Sequence, residues 1–122
     1  MASFRYIVSD VDAAVAFYTT NLEFELVEQF GPAIAIVRRN DLTLWLAGPA
    51  SSAARPMPDG SQPVPGGWNR IVIDVPDISA EVERLRASGV RLRNDIVTGP
   101  GGRQVLVEDP SGNPIELFQP LR

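Results

Sequence analysis

A short pattern occurs twice in this chain, and that repetition limits its fold more than any other feature. Val8-Ser9-Asp10-Val11 matches Val75-Pro76-Asp77-Ile78. Self-similarity of this kind marks a repeated supersecondary unit. Each copy follows strand-like alternation. In residues 3–8, Phe4, Tyr6 and Val8 share one face, and Ser3, Arg5 and Ile7 share the other. In residues 68–75, Ile71, Ile73 and Val75 face one way, and Trp68, Arg70, Val72 and Asp74 the other. Each copy also opens a helix, with Ser9 and Asp10 or Asp77 supplying the cap. Val11, Ala14, Val15 and Tyr18 fall at spacings of three and four over 11–20, with Phe17 broadening the stripe. Ile78, Val82 and Leu85 make the corresponding stripe over 78–88. Asn21 and Gly89 can end the two helices. Strands then follow at 24–30, 33–38 and 42–47, and again at 91–97, 103–108 and 114–118.

Each half is therefore βαβββ. The expected fold is α+β, two βαβββ modules forming curved mixed sheets around a shared pocket. One helix covers only one face of its sheet, so pairing the halves closes the sheets over a common concavity. Module one spans 1–48 and module two 68–122, and 122 residues suit one compact domain. Residues 49–67 have no period and contain Pro56, Pro58, Pro63 and Pro65. This stretch is a linker or a lid.

What the chain lacks excludes several chemistries. It has no His, no Cys and no Lys, so all eleven cations are Arg. Arg clamps anions but makes a poor base. Schiff-base chemistry, thiol nucleophiles and His-based triads are excluded. Asp, Glu, Tyr6 and Tyr18 remain as acid–base groups. The net charge of −4 tolerates a cationic ligand or only aids solubility. The scattered cations form no basic patch, which argues against nucleic acid. No apolar run nears the roughly 20 residues that cross a bilayer, so no membrane partner is expected. The N-terminus shows no basic segment leading into an apolar core, and cysteine is absent. Both features fit a cytoplasmic protein.

Three motifs carry a family resemblance. They are Val8 to Tyr18 with Leu22-Glu23-Phe24, then Val75-Pro76-Asp77-Ile78, and finally Asp109-Pro110-Ser111-Gly112-Asn113-Pro114-Ile115-Glu116-Leu117. In this order they resemble the vicinal oxygen chelate superfamily, which includes glyoxalase I, extradiol dioxygenases and the bleomycin-resistance proteins. Glu23 stands where that family usually has Gly. Locally, Asp109 to Asn113 is also a plain turn. Gly99-Pro100-Gly101-Gly102 joins two strands and is a hairpin turn, since a phosphate-cradling loop opens a helix.

The resemblance implies a divalent metal held by about four side chains, mostly His and Glu, from the first and last strands of each module. The first-strand positions here are Ser3 and Arg70. The last-strand position of module two is Glu116, and that of module one falls near Leu44 to Leu46. Only Glu116 is a usual ligand. The expectation is therefore no metal and no cofactor. Strand parity instead groups Ser3, Arg5, Arg70, Asp74 and Glu116, with Trp68 and Phe118 on the same faces and the face of Trp45 open. Arg70 is expected to pair with Glu116, as a structural strut or as a ligand clamp. Trp45, Trp68 and Phe118 line a pocket for a flat ligand or pack the core.

Three functions follow. One is a metal-independent binding protein that sequesters an antibiotic or aromatic metabolite; the resemblance implies a homodimer. The second is a lyase, isomerase or dioxygenase with Glu116 as acid–base group and Arg5 or Arg70 as clamp. Glu108 and Asp74 are its reserve bases. The third is an interaction module with an empty fold.

Overall fold

The structure, a computed structural model, describes residues 2–121. Met1 and Arg122, the outer ends of the two expected modules, lie outside the described residues. The chain divides into two compact units, one up to Gly66 and one from Gly67. Both combine one α-helix with a mixed sheet, so the chain is α+β.

The first unit runs β1 (Phe4–Ile7), α1 (Val11–Asn21), β2 (Glu25–Phe30), β3 (Ile34–Arg39) and β4 (Leu42–Ala47). Its sheet order is β1-β4-β3-β2, with β1 parallel to β4 and the other pairs antiparallel. Asp10 caps α1 by accepting the Ala13 N–H at 3.2 Å. The helix buries Val11, Ala14, Phe17 and Tyr18. The Tyr18 ring meets Phe17 and Phe24 edge-on, at centroid distances of 5.1 and 5.4 Å. In the sheet, Tyr6, Leu44, Leu46, Ala35 and Val37 share one face by register and are all buried. Burying each large apolar side chain there stabilises the unit by about 1.5–3 kcal/mol. The same register puts Arg5, Trp45 and Ile36 side by side on the opposite face.

The second unit runs β5 (Ile71–Asp74), α2 (Ile78–Ala87), β6 (Arg91–Leu92), β7 (Val97–Gly99), β8 (Gly102–Glu108) and β9 (Pro114–Pro120). Strand β9 lies parallel to β5 and antiparallel to β8, and both β6 and β7 pair with β8. Asp77 caps α2 through the Ala80 N–H at 3.1 Å. Gln119 on β9 accepts the Ile78 N–H at 2.8 Å, tying the helix start to the sheet. Ile78, Val82 and Leu85 are buried, as are Ile71, Ile73, Val75, Val105, Val107, Ile115 and Leu117.

The β8–β9 turn sets the position of Glu116. Asp109 Oδ1 accepts the N–H groups of Ser111 and Asn113, both at 2.9 Å. Asn113 Nδ2 donates to Asp109 Oδ2 at 3.0 Å. Both side chains are buried. A satisfied buried polar knot of this kind holds one register, here Glu108 opposite Pro114 and Leu106 opposite Glu116. At the far end, Gly102 has φ +151°, and a Cβ there would collide with the Gln119 carbonyl.

Three expected elements differ. β5 starts at Ile71 rather than 68, because Gly66 and Gly67 turn the chain with positive φ and residues 68–70 make no ladder. The expected strand 91–97 is split into β6 and β7. Asn94 Oδ1 takes the Leu106 N–H at 3.0 Å, so a side chain replaces a backbone partner there. Within the irregular stretch after β4, Ser52–Ala54 form one 3₁₀ turn.

Candidate functional site

On the face of the second sheet opposite its buried core, Arg70 and Glu116 form the central pair. Arg70 Nε and Nη2 both donate to Glu116 Oε1, at 3.0 and 2.9 Å. Arg70 Nη1 donates to the Trp68 carbonyl at 3.1 Å. Glu116 has a side-chain exposure of 11% and Arg70 of 29%, so the pair is shielded more than a surface ion pair. Charge-assisted bonds in such a setting are roughly twice as strong as neutral ones. Among the described residues, no donor reaches Glu116 Oε2.

A second arginine braces this face. Arg93 Nε donates to Glu108 Oε2 at 2.7 Å. Its Nη1 donates to the Gly67 carbonyl at 2.7 Å and its Nη2 to the Gly112 carbonyl at 2.9 Å. Its guanidinium also lies 4.6 Å from the Trp68 ring centroid, within cation–π range. One side chain thus joins the start of the unit, the β8–β9 turn and Glu108. Arg91 approaches Glu108 as well, at 3.8 Å. Glu108, a reserve base in the sequence reading, is engaged by two cations. Trp68 remains 69% exposed despite these restraints. Asp74 is exposed and pairs by register with half-buried Phe118, one step along the same face from Val72 and Glu116.

The first unit brings Ser3, Arg5 and Trp45 together. With Phe4 they line a recess of about 210 Å³. The Arg5 guanidinium lies 4.9 Å from the Trp45 ring centroid. The register of Arg5 with Trp45 settles the face of that tryptophan, which strand parity alone left open. Arg93 has no signature in the sequence. Its acceptors are two backbone carbonyls and a carboxylate far apart in the chain, and no local spacing signals them.

The residues present do not fit the family's divalent metal. Arg70 occupies a ligand position and spends two donors on the one carboxylate that remains. A metal at Glu116 would face the charge of that guanidinium, held on the neighbouring carboxylate oxygen. The other positions carry the Ser3 hydroxyl and the stretch Leu44 to Leu46. Among the described residues, no group of three His, Cys, Asp or Glu side chains could hold a metal ion. No described helix is long and apolar enough to cross a membrane.

Comparison with known proteins follows the same lines. A search of curated proteins found no match. Among solved structures, lactoylglutathione lyase from Agrobacterium tumefaciens matches with TM-score 0.75 at 21% identity, covering 98% of this chain and 92% of that one. The fosfomycin resistance protein FosX from Listeria monocytogenes matches with TM-score 0.75 at 16% identity, over 99% and 93% of the two chains. TnmS3, an antibiotic binding protein from Streptomyces sp. CB03234, matches with TM-score 0.71 at 27% identity, over 99% and 97%. The first two likenesses establish the fold alone. Residues 1–117 match the family described as Glyoxalase/Bleomycin resistance protein/Dioxygenase superfamily. With one strand–helix–sheet plan in both units, βαβββ in the first and the same with one strand split in two in the second, and its Asp109–Asn113 turn ahead of Glu116, this chain belongs to the glyoxalase/bleomycin resistance protein/dioxygenase superfamily.

Proposed function

We propose that this chain is a metal-independent small-molecule binding protein of the glyoxalase/bleomycin-resistance type, which sequesters an antibiotic or aromatic metabolite. The observation that carries the reading is the double hydrogen bond from Arg70 to Glu116 Oε1. It puts a tethered cation where the family's usual chemistry needs a ligand. Two aromatic surfaces support the reading, half-buried Trp45 and exposed Trp68, each held by an arginine. Flat, partly apolar walls with few polar groups suit small aromatic ligands. The likeness to an antibiotic binding protein points the same way. The proposal includes a cytoplasmic homodimer.

The competing reading is an enzyme with Glu116 as acid–base group. Its support is Oε2, which accepts no hydrogen bond among the described residues. Calorimetric titration of a panel of polycyclic antibiotics and simple aromatic acids tests the two. Binding of equal affinity in excess chelator and in added Zn²⁺ or Mn²⁺, with the ligand recovered unchanged, is the expected result. Binding that appears only with metal, or conversion of the bound ligand, would overturn the proposal.

A further inference from the structure

Arg5 and Arg70 are both arginines beside a tryptophan, yet their charges are handled differently. Arg70 is neutralised by Glu116. Arg5 has no acidic partner among the described residues, and none of its five N–H donors meets a protein acceptor there. Its guanidinium lies on the Trp45 ring, a contact that consumes no donor. The side chain is exposed, and it lines the recess together with Ser3 and Phe4.

An unpaired guanidinium on an exposed strand is ordinarily a solvated charge. Two observations distinguish this one. Contact with the tryptophan reduces the entropy lost when the fork meets a planar acceptor. The recess beside it also supplies a hydroxyl, from Ser3, whereas the Phe4 ring lies on the other face of β1, edge-on to Tyr6 at 5.3 Å. At about 210 Å³ it falls below the roughly 300–1,000 Å³ of drug-sized pockets. It has room for one end of a larger molecule, of a single-ring scale.

We infer that the Arg5–Trp45 recess binds the anionic end of a flat aromatic ligand, with a carboxylate on the Arg5 guanidinium and the ring against Trp45. The planar fork of arginine matches a carboxylate with two parallel N–H···O bonds, and such bonds are the strong ones. A cationic ligand, which the acidic net charge alone would tolerate, meets an uncompensated positive charge in this recess. The inference deepens the binding-protein reading and rests on it for the existence of a ligand, but not for metal independence.

The test uses three probes of one shape: 2-naphthoate, 2-naphthamide and 2-naphthylmethylammonium. Each is titrated into the whole protein, with indole N–H shifts of the two tryptophans followed by NMR. The expected result is that naphthoate binds about tenfold or more tighter than the amide and shifts Trp45. The ammonium probe binds most weakly. R5Q is expected to abolish the preference for naphthoate over the amide, R5K to keep part of it, and R38Q to leave it intact. Arg5 and Arg38 are both exposed, so folding is not at stake. Equal binding of the acid and the amide, a preference that survives R5Q, or shifts confined to Trp68 would overturn the inference alone. Failure of all three probes to bind would overturn it together with the aromatic-ligand reading.

Discussion

The two units follow one plan and use their tryptophans in opposite ways. In the second, Trp68 sits inside a set of closed contacts, with Arg93 on its ring and Arg70 on its carbonyl, and both arginines are bound to glutamates. In the first, Arg5 meets Trp45 and holds no glutamate among the described residues. The difference separates two tasks that a family likeness merges. Arg70 and Arg93 each spend three donors inside the protein, which suits a strut. An arginine that keeps them all is available to a ligand. We propose that Arg70, where the resemblance places a metal ligand, belongs to the scaffold, and that recognition lies on the other unit.

If that contrast is right, truncating arginines should affect stability in one unit and binding in the other. The largest effect is expected for R93M. It leaves Glu108 and the carbonyls of Gly67 and Gly112 without their donors, at a cost of about 3 kcal/mol, read as a lowered urea midpoint. A cost below about 0.5 kcal/mol, the usual scale of a surface change, would mean that Arg93 is not a strut. E116Q comes next, at about 2 kcal/mol. The fully buried value is reduced because Arg70 is 29% exposed and water screens part of its charge. The R70M/E116Q double variant should cost less than the sum of the single variants, since the two act on one contact. Additive costs would argue that the pair is incidental.

The helix exits offer a smaller comparison. Unit two leaves α2 through Gly89 at φ +81°, whereas unit one passes through Glu23 at φ +59°. The left-handed region costs a residue with a Cβ about 1–2 kcal/mol. The exposed ion pair of Glu23 with Arg39, at 3.6 Å, returns little of it. E23G should therefore stabilise the chain by about 0.5–1 kcal/mol, after allowing for the greater freedom of glycine when unfolded. A lower melting temperature for E23G would show that the Arg39 contact matters more than the strain. The smallest stability effect, below about 0.5 kcal/mol, belongs to R5Q. Its consequence is expected in ligand affinity.

Much of this organisation was legible in the sequence. The two helices appear at 11–21 and 78–87 against expected spans of 11–20 and 78–88, because Asp10 and Asp77 are strong local caps followed by apolar residues at helical spacing. The Arg70–Glu116 placement was legible because parity along short strands is rigid. Strand ends were less so. Alternation from Trp68 to Val75 gave no sign that the two glycines before it carry the chain away from the ladder until Ile71. Nor did it show that Asn94 would take over a backbone bond on β8. Arg93 was invisible for the same reason, since its partners are brought to it by tertiary structure.

Arg70 stands where the resemblance places a metal ligand. The most direct measurement follows the Arg70 Nε–H resonance in ¹⁵N-labelled protein while diamagnetic Zn²⁺ is added. The account predicts a protected Nε–H signal that neither shifts nor broadens through equimolar metal. A shift or loss of that signal at equimolar Zn²⁺, reversed by chelator, would show metal bound at Glu116 beside Arg70 and would contradict it.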